Sequence, residues 1–266
     1  MEVLYGLHPV EEAIRAGSGR LDRISIARER RDAKLERLAS LARSAGIRVS
    51  AEPRDQLTRL AKTDAHQGVV AYLRERAFLT IEDLLVPSPG NHSRFFLALD
   101  GLEDPHNLGA LLRTAEGAGV DGILLPERRS APITATVAKT SAGASEHVRI
   151  ARVTNLVRAL EQMKKANIWV VGLDERGTPD YTDFNFSMDC VLVLGREGAG
   201  LHDLVKKTCD HLLRIPMAGQ VSSLNVSVAG AVVMYEAMRQ RRAASVQPKA
   251  APPAATPGKR KGLGSL

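Results

Sequence analysis

Cysteine is nearly absent from this sequence, with only Cys190 and Cys209 among 266 residues. Two thiols are too few for the disulfide framework of a small secreted domain, and we therefore expect an intracellular protein, located in the cytoplasm. Cys190 opens an apolar run and is predicted to lie in the core. Neither cysteine has the neighbours of a metal site, so no metal is expected.

Long apolar runs are also absent. No stretch of about 18 apolar residues occurs, so the sequence predicts no membrane span. The first residues, MEVLYGLHPVEEAIRAG, include early acidic residues and no long apolar core, which is unlike a secretory signal. With 44% hydrophobic and 25% charged residues, the composition excludes collagen-like, coiled-coil and wholly disordered chains.

The formal net charge of +7 is unevenly distributed along the chain. Residues 1–76 carry +4, residues 77–242 carry −1 and residues 243–266 carry +4. A basic excess is typical of proteins with a polyanionic partner. The distribution places the basic excess at the two ends of the chain.

The apolar pattern divides the chain into two α/β domains. Residues 1–76 are predicted to form a small α/β domain, with strands at 23–27, 47–51 and 68–73 and a helix at 32–45 that Gly46 ends. Residues 77–92 are predicted to be a linker, punctuated by Pro87, Pro89 and Gly90. Residues 243–266, rich in Ala, Pro and Lys, are predicted to be a disordered basic tail whose Lys259–Lys261 cluster either contacts nucleic acid or only solubilises the chain.

Residues 93–242 show apolar strands alternating with helices, which is typical of a doubly wound parallel sheet. The predicted strands are 95–100, 122–126, 148–153, 168–174, 190–195 and 211–217, and the predicted helices are 107–119, 136–141, 155–166 and 224–241. Ligands of such sheets bind beyond the carboxyl ends of the strands. We therefore expect a site in the loops that follow Asp100, Gly195 and Pro216.

The first of these loops leads into the segment NLGALLR. Asn107 stands where a helix begins, and it is either a plain N-cap or a functional amide. Arg113 is an unusual residue in an otherwise apolar segment, and it either faces solvent or serves the site.

The second loop, GREGAGL at 195–201, has three glycines and one carboxylate, Glu197. It is either a flexible turn or a loop that lets backbone approach a ligand closely. It lacks both the dinucleotide fingerprint and the Lys-Ser/Thr of a phosphate loop. The motif therefore indicates neither a dinucleotide nor a nucleoside triphosphate.

The third loop, IPMAGQVSSLNVSVA at 215–229, places Ser222, Ser223 and Asn225 at the mouth of a long helix. Ser223 is either an N-cap or a site residue. The helix is predicted to bury one apolar face, formed by Val228, Ala231, Val232, Tyr235 and Met238. The small residues Ser227, Ala229, Gly230 and Ala231 would permit close packing on another helix, either within the chain or in a second subunit.

In this order and spacing, the three segments resemble the motifs of the SpoU family of RNA ribose 2′-O-methyltransferases. The matching patterns are N-x-G-x-x-x-R, then G-x-E-G-x-G-L, then I-P-M-x-G-x-x-S-S-L-N-V-S-V-A, and the resemblance covers about 95–241. YGLHPVEEAI at 5–14 and HQGVVA at 66–71 are similar to the substrate-binding domain that accompanies this family.

The resemblance implies a fold, a cofactor and a partner. The fold would be a doubly wound α/β sheet with a deep trefoil knot on its C-terminal side, preceded by a small α/β domain like ribosomal protein L30e. The cofactor would be S-adenosylmethionine, bound by the knot loops in a bent shape, and the protein would be a homodimer formed through the knot domain.

The resemblance also implies site residues. The cofactor would lie against Leu194, Gly195, Ile215, Met217 and Leu224, with Ile215 to Met217 against the adenine. The catalytic group would be Asn107, Arg113, Glu197, Ser223 and Asn225. We expect Glu197 mainly to organise its loop through hydrogen bonds to Asn107 or Asn225.

Arg113 is proposed in the family to activate the 2′-hydroxyl. Because a guanidinium is very hard to deprotonate, we favour phosphate binding and electrostatic lowering of the hydroxyl pKa over direct base action. Arg196 occupies a position where many family members have a small residue, and it either contacts a phosphate or faces solvent.

The expected substrate is a guanosine ribose in the RNA of the large ribosomal subunit. A tRNA ribose 2′-O-methyltransferase is the alternative enzyme, and a non-catalytic RNA-binding or ribosome-assembly factor is the alternative outside catalysis. Joint presence of Asn107, Arg113, Glu197 and Asn225 favours the enzyme.

A cluster of arginines in the first domain would contact the phosphates of ribosomal RNA: Arg20, Arg23, Arg28, Arg30 and Arg31. A solvated face is the alternative. Since aromatic residues make up only 4% of the chain, stacking of bases on rings is not the expected mode of binding.

Overall fold

The computed structural model describes residues 2–15, 20–28, 32–74, 76–86 and 93–246. Two predicted irregular segments are partly helical: residues 243–246 of the predicted tail (243–266) continue a helix, and Ile81–Leu85 of the predicted linker (77–92) form another. The rest of the tail, from residue 247, lies outside the described ranges, as do Arg30, Arg31 and positions 87–92 of the linker.

The first part of the chain forms a four-stranded sheet covered by helices. Its strands are β1 (Glu2–Tyr5), β2 (Leu21–Ala27), β3 (Arg48–Glu52) and β4 (Val69–Leu73), and its helices are α1 (Leu7–Arg15), α2 (Ala33–Ser44) and α3 (Arg54–Ala61). The strand order is β1-β4-β2-β3, with β2 parallel to β3 and both β1 and β2 antiparallel to β4. Leu4, Val10, Ile24 and Leu35 belong to its buried core.

The second part forms a six-stranded sheet in which every pair of neighbours is parallel. The strand order is β10-β8-β9-β5-β6-β7. The strands are β5 (Phe95–Leu99), β6 (Gly122–Pro126), β7 (Ile150–Val153), β8 (Trp169–Leu173), β9 (Cys190–Leu194) and β10 (His211–Leu213), and the helices are α4 (Ile81–Leu85), α5 (Pro105–Gly117), α6 (Ala135–Thr140), α7 (Leu156–Lys165), α8 (Asp203–Thr208) and α9 (Val226–Val246). The predicted α/β class with a parallel sheet is therefore confirmed.

Helices cover both faces of this sheet because each central strand is apolar on both sides. Along β5, Phe95, Leu97 and Leu99 pack into one core, whereas Phe96 and Ala98 pack into the core on the other face. The first core is shared with α5 and α9, and the second with α4, α7 and α8. Cys190 is fully buried, as predicted, and burial raises the pKa of its thiol to about 11.

A buried ion-pair cluster joins the two parts of the chain. The Glu146 carboxylate, whose side chain is 2% exposed, accepts hydrogen bonds from Arg20 Nη1 at 2.8 Å and from Arg76 Nη2 at 2.6 Å. Nearby, Ala138 of α6 packs into the core of the first sheet. Because Arg20 is held in this cluster, its expected role as a surface contact for RNA is corrected to a structural one.

The long helix α9 buries a different face from the predicted one. Its buried residues are Val226, Gly230, Val233, Met234 and Ala237, whereas Val228 and Tyr235 of the predicted stripe are each 49% exposed. A Cβ atom on Gly230 would lie 2.6 Å from a Leu111 methyl and 2.7 Å from a Leu194 methyl. The glycine therefore lets α9 lie close to α5 and β9 and so fixes the inward face.

The sequence pattern predicts the wrong buried face of α9 for a simple reason. The helix is apolar on most of its circumference, so its residue pattern does not single out one face. Within the described residues, no helix is both long enough and apolar enough to cross a membrane.

Candidate functional site

A cavity of about 390 Å³ lies at the carboxyl ends of β8, β9 and β10. This is the place where parallel α/β sheets bind ligands. The structure brings together at its wall all five residues expected to hold the cofactor: Leu194, Gly195, Ile215, Met217 and Leu224. The strand predicted to run through 211–217 ends at Leu213, so Ile215 and Met217 belong to the loop that follows it.

The cavity combines apolar and charged walls. Leu194, Ile215 and Leu224 supply apolar surface, whereas Asp174 and Lys206 supply polar surface. Lys206 Nζ donates to Asp174 Oδ2 at 2.7 Å. Burial opposes the Asp174 charge, yet the Lys206 ammonium and the backbone N–H of Arg176 together hold the pKa of that carboxyl below its usual value.

The glycine loop (residues 195–201) closes one side of the cavity in a tight turn. The backbone groups of Arg196 and Gly200 exchange two hydrogen bonds of 3.0 and 2.9 Å. A Cβ atom on Gly195 would lie 2.3–2.4 Å from the backbone of Gly200 and Leu201, so only glycine fits at this position. The loop is a closed, hydrogen-bonded turn, which favours the ligand-binding interpretation over a flexible connection.

Asp100 anchors the end of the glycine loop through the next residue, His202. Its buried carboxylate, at the end of β5, accepts the backbone N–H of His202 at 2.7 Å and pairs with Nδ1 of the same residue at 2.8 Å. Asp100 and His202 were not among the predicted site residues. The signal that could have found Asp100 is an acidic residue directly after a buried strand.

Three of the expected catalytic residues form a closed triangle of hydrogen bonds. Asn107 Nδ2 donates to Glu197 Oε2 at 3.1 Å, and Asn225 Nδ2 donates both to Asn107 Oδ1 at 3.0 Å and to Glu197 Oε1 at 3.1 Å. The Glu197 carboxylate thus accepts from both amides, as expected for a residue that organises its loop. The triangle ties the start of α5, the glycine loop and the start of α9 together.

Neither Asn107 nor Ser223 is the N-cap of its helix, so the N-cap alternative given for each of them is wrong. Asp104, not Asn107, caps α5, because its carboxylate accepts the N–H groups of His106 and Asn107. Asn107 instead lies within the first turn and is 8% exposed. Asn225, not Ser223, immediately precedes α9, and its Oδ1 accepts the N–H of Ser227 at 2.9 Å.

Ser223 is exposed and lines the cavity next to Leu224. No hydrogen bond of its side chain to another described residue is found. Arg196, which also lines the cavity, is exposed, and its side-chain methylenes pack over Gly101, where an added Cβ would lie 2.8 Å from them.

Arg113 is separate from the triangle. It lies six residues after Asn107 on α5, which is about 9 Å along the helix axis and about 120° around it. Its exposed side chain lines a second cavity, of about 640 Å³, between the two parts of the chain. The structure of a single chain therefore does not bring Arg113 together with the other four expected catalytic residues.

Two other arginines of the predicted RNA-binding cluster, Arg23 and Arg28, are exposed. Arg23 is exposed and its guanidinium lies 4.2 Å above the centre of the Tyr72 ring. Arg28 is exposed and donates to the carbonyl oxygen of Ala51 at 3.4 Å. Both are accessible to a polyanion, whereas Arg30 and Arg31 lie outside the described residues.

His66 of the HQGVVA segment is structural. Its buried ring accepts the N–H of Gly68 at Nδ1, at 3.1 Å, and contacts Thr58 Oγ1 through Nε2 at 3.2 Å. Burial, followed by the charge of Arg54, lowers the pKa of His66 below its usual value, so the ring is neutral at pH 7. Among the residues described, no group of three or more His, Cys, Asp or Glu side chains is arranged to hold a metal.

Two parts of the chain match known families. Residues 94–235 match the SpoU rRNA Methylase family, and residues 3–79 match the RNA 2′-O ribose methyltransferase substrate-binding family. The glycine loop and the Asn107–Glu197–Asn225 triangle lie within the first match. The four-stranded sheet, apart from its first residue, lies within the second.

Individual relatives cover nearly the whole chain. The 23S rRNA (guanosine-2′-O-)-methyltransferase RlmB of Ralstonia nicotianae is 40% identical over 241 residues, which are 90% of this chain and 96% of that protein. A Bacillus subtilis protein, assigned provisionally to the TrmH family of tRNA/rRNA methyltransferases, is 42% identical over the same shares of both chains. The crystal structure of the SpoU methyltransferase AviRb from Streptomyces viridochromogenes in complex with AdoMet superposes with a TM-score of 0.76 at 25% identity, over 91% of this chain and 90% of that one.

The cavity suits the cofactor of this family. Its volume lies in the range of small-molecule sites, about 300–1,000 Å³. Its walls combine apolar side chains, the backbone of the glycine loop and the polar side chains of Asp174 and Lys206, so a ligand with both apolar and polar parts, such as S-adenosylmethionine, fits them. The chain belongs to the SpoU rRNA methylase family and is an S-adenosylmethionine-dependent RNA ribose 2′-O-methyltransferase.

Proposed function

We propose that this protein methylates the 2′-oxygen of a guanosine ribose in 23S rRNA, in the cytoplasm. The observation that carries the proposal is the Asn107–Glu197–Asn225 triangle beside a cavity lined by all five expected cofactor residues. The choice of 23S rRNA rests on similarity to the Ralstonia enzyme across both parts of the chain.

The cofactor supplies an electrophilic methyl group when it is bound. Leu194, Ile215 and Met217 would hold its apolar part, and the backbone at Gly195 would approach it closely. A ribose hydroxyl is a weak nucleophile, so holding it in line with the methyl group provides much of the rate enhancement. The C–S bond would break as the C–O bond forms, which would leave a neutral thioether, and the 2′-hydroxyl would release its proton to water. No carboxylate is therefore needed to stabilise the product.

In this account Glu197 is a positioning residue. Each of its two carboxylate oxygens accepts a hydrogen bond, one from Asn107 and one from Asn225, and Glu197 is therefore poorly placed to act as a general base. It fixes the glycine loop relative to the first turns of α5 and α9. Ser223, exposed at the cavity wall, is proposed to face the RNA or the cofactor.

Arg113 is proposed to bind an RNA phosphate. Its separation from the triangle within one chain supports this role over direct action on the reacting hydroxyl. Arg23 and Arg28, both exposed, are proposed as further phosphate contacts.

The protein is proposed to be a homodimer formed through the knot domain. The half-exposed apolar side chains of Val228 and Tyr235 on α9 support this proposal, because exposed apolar residues on one helix face mark an interaction surface. The trefoil knot and the L30e-like first domain are proposed on the family resemblance. After β10 at the sheet edge, α9 returns to pack on α5, which agrees with a threaded C-terminal segment.

A tRNA substrate is the second candidate, because the Bacillus relative has been assigned provisionally to both RNA classes. The two are separated by incubating the protein with S-[methyl-³H]adenosylmethionine and either a 23S rRNA transcript or a tRNA pool. We expect label in 23S rRNA only, located at a guanosine by nuclease digestion. Label in tRNA alone would overturn the choice of substrate, and no label in either RNA would contradict the proposed activity.

A further inference from the structure

The second cavity lies between the first domain and the methyltransferase domain. This junction groove is lined by α1 and α2 on one side and by α5 and α6 on the other. Four cationic side chains line it, Lys34, Arg37, Arg113 and Lys139, together with His8 and one carboxylate, Glu11. The groove therefore concentrates positive charge where the larger domain, taken over its whole length, is slightly negative.

The cations of the groove are not neutralised by carboxylates of the described residues. Among the described residues, none of the four cationic side chains forms an ion pair, and all four residues are exposed. Lys139 lies 5.5 Å from the centre of the Tyr5 ring, which orients it without neutralising its charge. The one carboxylate, Glu11, is paired with Arg15 at 2.6 Å.

Four unpaired cations around a concave surface attract a polyanion, because the low-dielectric walls focus their field. None of the described residues that line the groove is Phe, Tyr or Trp, so the groove offers no platform on which bases could stack. Lysine and arginine side chains make many of the contacts to phosphate oxygens in protein–nucleic acid complexes. The ligand chemistry that fits is a run of phosphodiesters.

We infer that the junction groove binds the phosphate backbone of the RNA substrate and spans the two domains, with Lys34, Arg37 and Lys139 as contacts. The inference rests on the proposed RNA methyltransferase function and adds a site to it. It assigns RNA binding to the exposed side of α2, away from the arginines of β2. It also explains why Arg113 points away from the cofactor cavity: that side chain belongs to the same basic track.

The test uses the double variant Lys34→Gln/Arg37→Gln in the full chain. Its matched control is Arg158→Gln/Lys165→Gln, which removes the same charge from exposed positions on α7, on the opposite face of the large sheet. The affinity for a 23S rRNA transcript is measured by filter binding at several salt concentrations. S-adenosylmethionine affinity is measured by calorimetry on the same preparations.

We expect the groove variant to bind RNA about tenfold more weakly, with a salt slope smaller by about 1.4, because each lost phosphate contact on single-stranded RNA lowers the slope by about 0.7. The control should bind RNA as the unmodified chain does. Both should retain the cofactor affinity of the unmodified chain, and the groove variant should show a raised KM for RNA with kcat preserved at saturation.

The third contact is tested with Lys139→Gln, which should weaken RNA binding in the same direction and lower the salt slope further. An unchanged RNA affinity and slope in Lys34→Gln/Arg37→Gln, with cofactor binding and methylation intact, would overturn the inference and leave the proposed function standing. That result would also be the one expected if the groove accommodated an acidic protein segment. If the unmodified chain did not bind S-adenosylmethionine, that result would instead contradict the proposed function.

Discussion

Asn107 and Glu197 are 90 positions apart in the chain, yet the amide of one donates to the carboxylate of the other at 3.1 Å. Asn225 closes the contact into a triangle by donating to both. This relationship links the glycine loop, through the Glu197 carboxylate at the cavity wall, to the first turns of α5 and α9.

The first prediction concerns that carboxylate. In Glu197→Gln, one oxygen becomes an NH₂ group that faces an amide donor of Asn107 or Asn225, so at least one hydrogen bond of the triangle is lost. Hydrogen bonds to charged groups contribute about 1.5–3 kcal/mol, and we expect methylation to fall at least about tenfold. Single-turnover kinetics with labelled cofactor would measure the loss.

Glu175→Gln is the control for this variant, since Glu175 also lines the cavity but lies outside the triangle. It should retain most of the activity. Full activity in Glu197→Gln would show that the triangle is not required for positioning.

The second prediction concerns the tight turn at Gly195. The methyl group that Gly195→Ala adds would collide with the backbone of Gly200 and Leu201, so the glycine loop must shift. We expect the affinity for S-adenosylmethionine, measured by calorimetry, to fall at least about tenfold. Gly219→Ala provides the comparison, because nothing lies within 4 Å of a Cβ atom there, and its affinity should be unchanged.

The third prediction separates Arg113 from the cofactor cavity. Arg113→Lys should lose most of the turnover, because a single ammonium lacks the planar, forked donors with which a guanidinium fixes the orientation of a bound phosphate. It should keep the cofactor affinity of the unmodified chain, since Arg113 lines the junction groove and not the cofactor cavity. Turnover at the unmodified rate would contradict both roles considered for Arg113.

The fourth prediction concerns the buried cluster at the domain junction. Glu146→Ala leaves the Arg20 and Arg76 guanidinium groups without the carboxylate that they share. Breaking a buried ion pair costs about 3–5 kcal/mol, and we expect a loss of that size in the free energy of unfolding, measured with urea. The control is Glu161→Ala, on the exposed side of α7, which should change the free energy of unfolding by less than about 0.5 kcal/mol. Equal effects of the two substitutions would mean that the buried cluster does not stabilise the junction.

Much of the fold could be predicted because the signals are local. The strands at 95–99, 122–126 and 190–194 are short apolar runs bounded by polar residues, and their positions in the structure agree with the sequence to within one residue. The alternation of such runs with helices indicated the parallel sheet. The predicted end of β10 is wrong, because Ile215 and Met217 continue the apolar run of the strand. In the structure they lie beyond the strand and line the cavity.

The sequence motifs predict residues that the structure places around one cavity, whereas they do not reveal features that depend on tertiary contacts. The five cofactor residues all line one cavity. The buried face of α9 depends on the close approach permitted by Gly230, and the loss of Arg20 as an RNA contact depends on Glu146, more than a hundred residues away. Lys34 and Arg37 lie on an ordinary amphipathic helix, so only the packing of α2 beside α5 and α6 reveals a groove.

The central claim is that this protein transfers a methyl group to a guanosine ribose of 23S rRNA. Its most direct test is to map 2′-O-methyl groups in total RNA from a strain that lacks the protein and from the same strain carrying either the unmodified chain or Glu197→Gln. We predict the loss of one guanosine 2′-O-methyl group from 23S rRNA, restored by the unmodified chain and not by Glu197→Gln. An rRNA methylation profile that is the same with and without the protein would contradict the account.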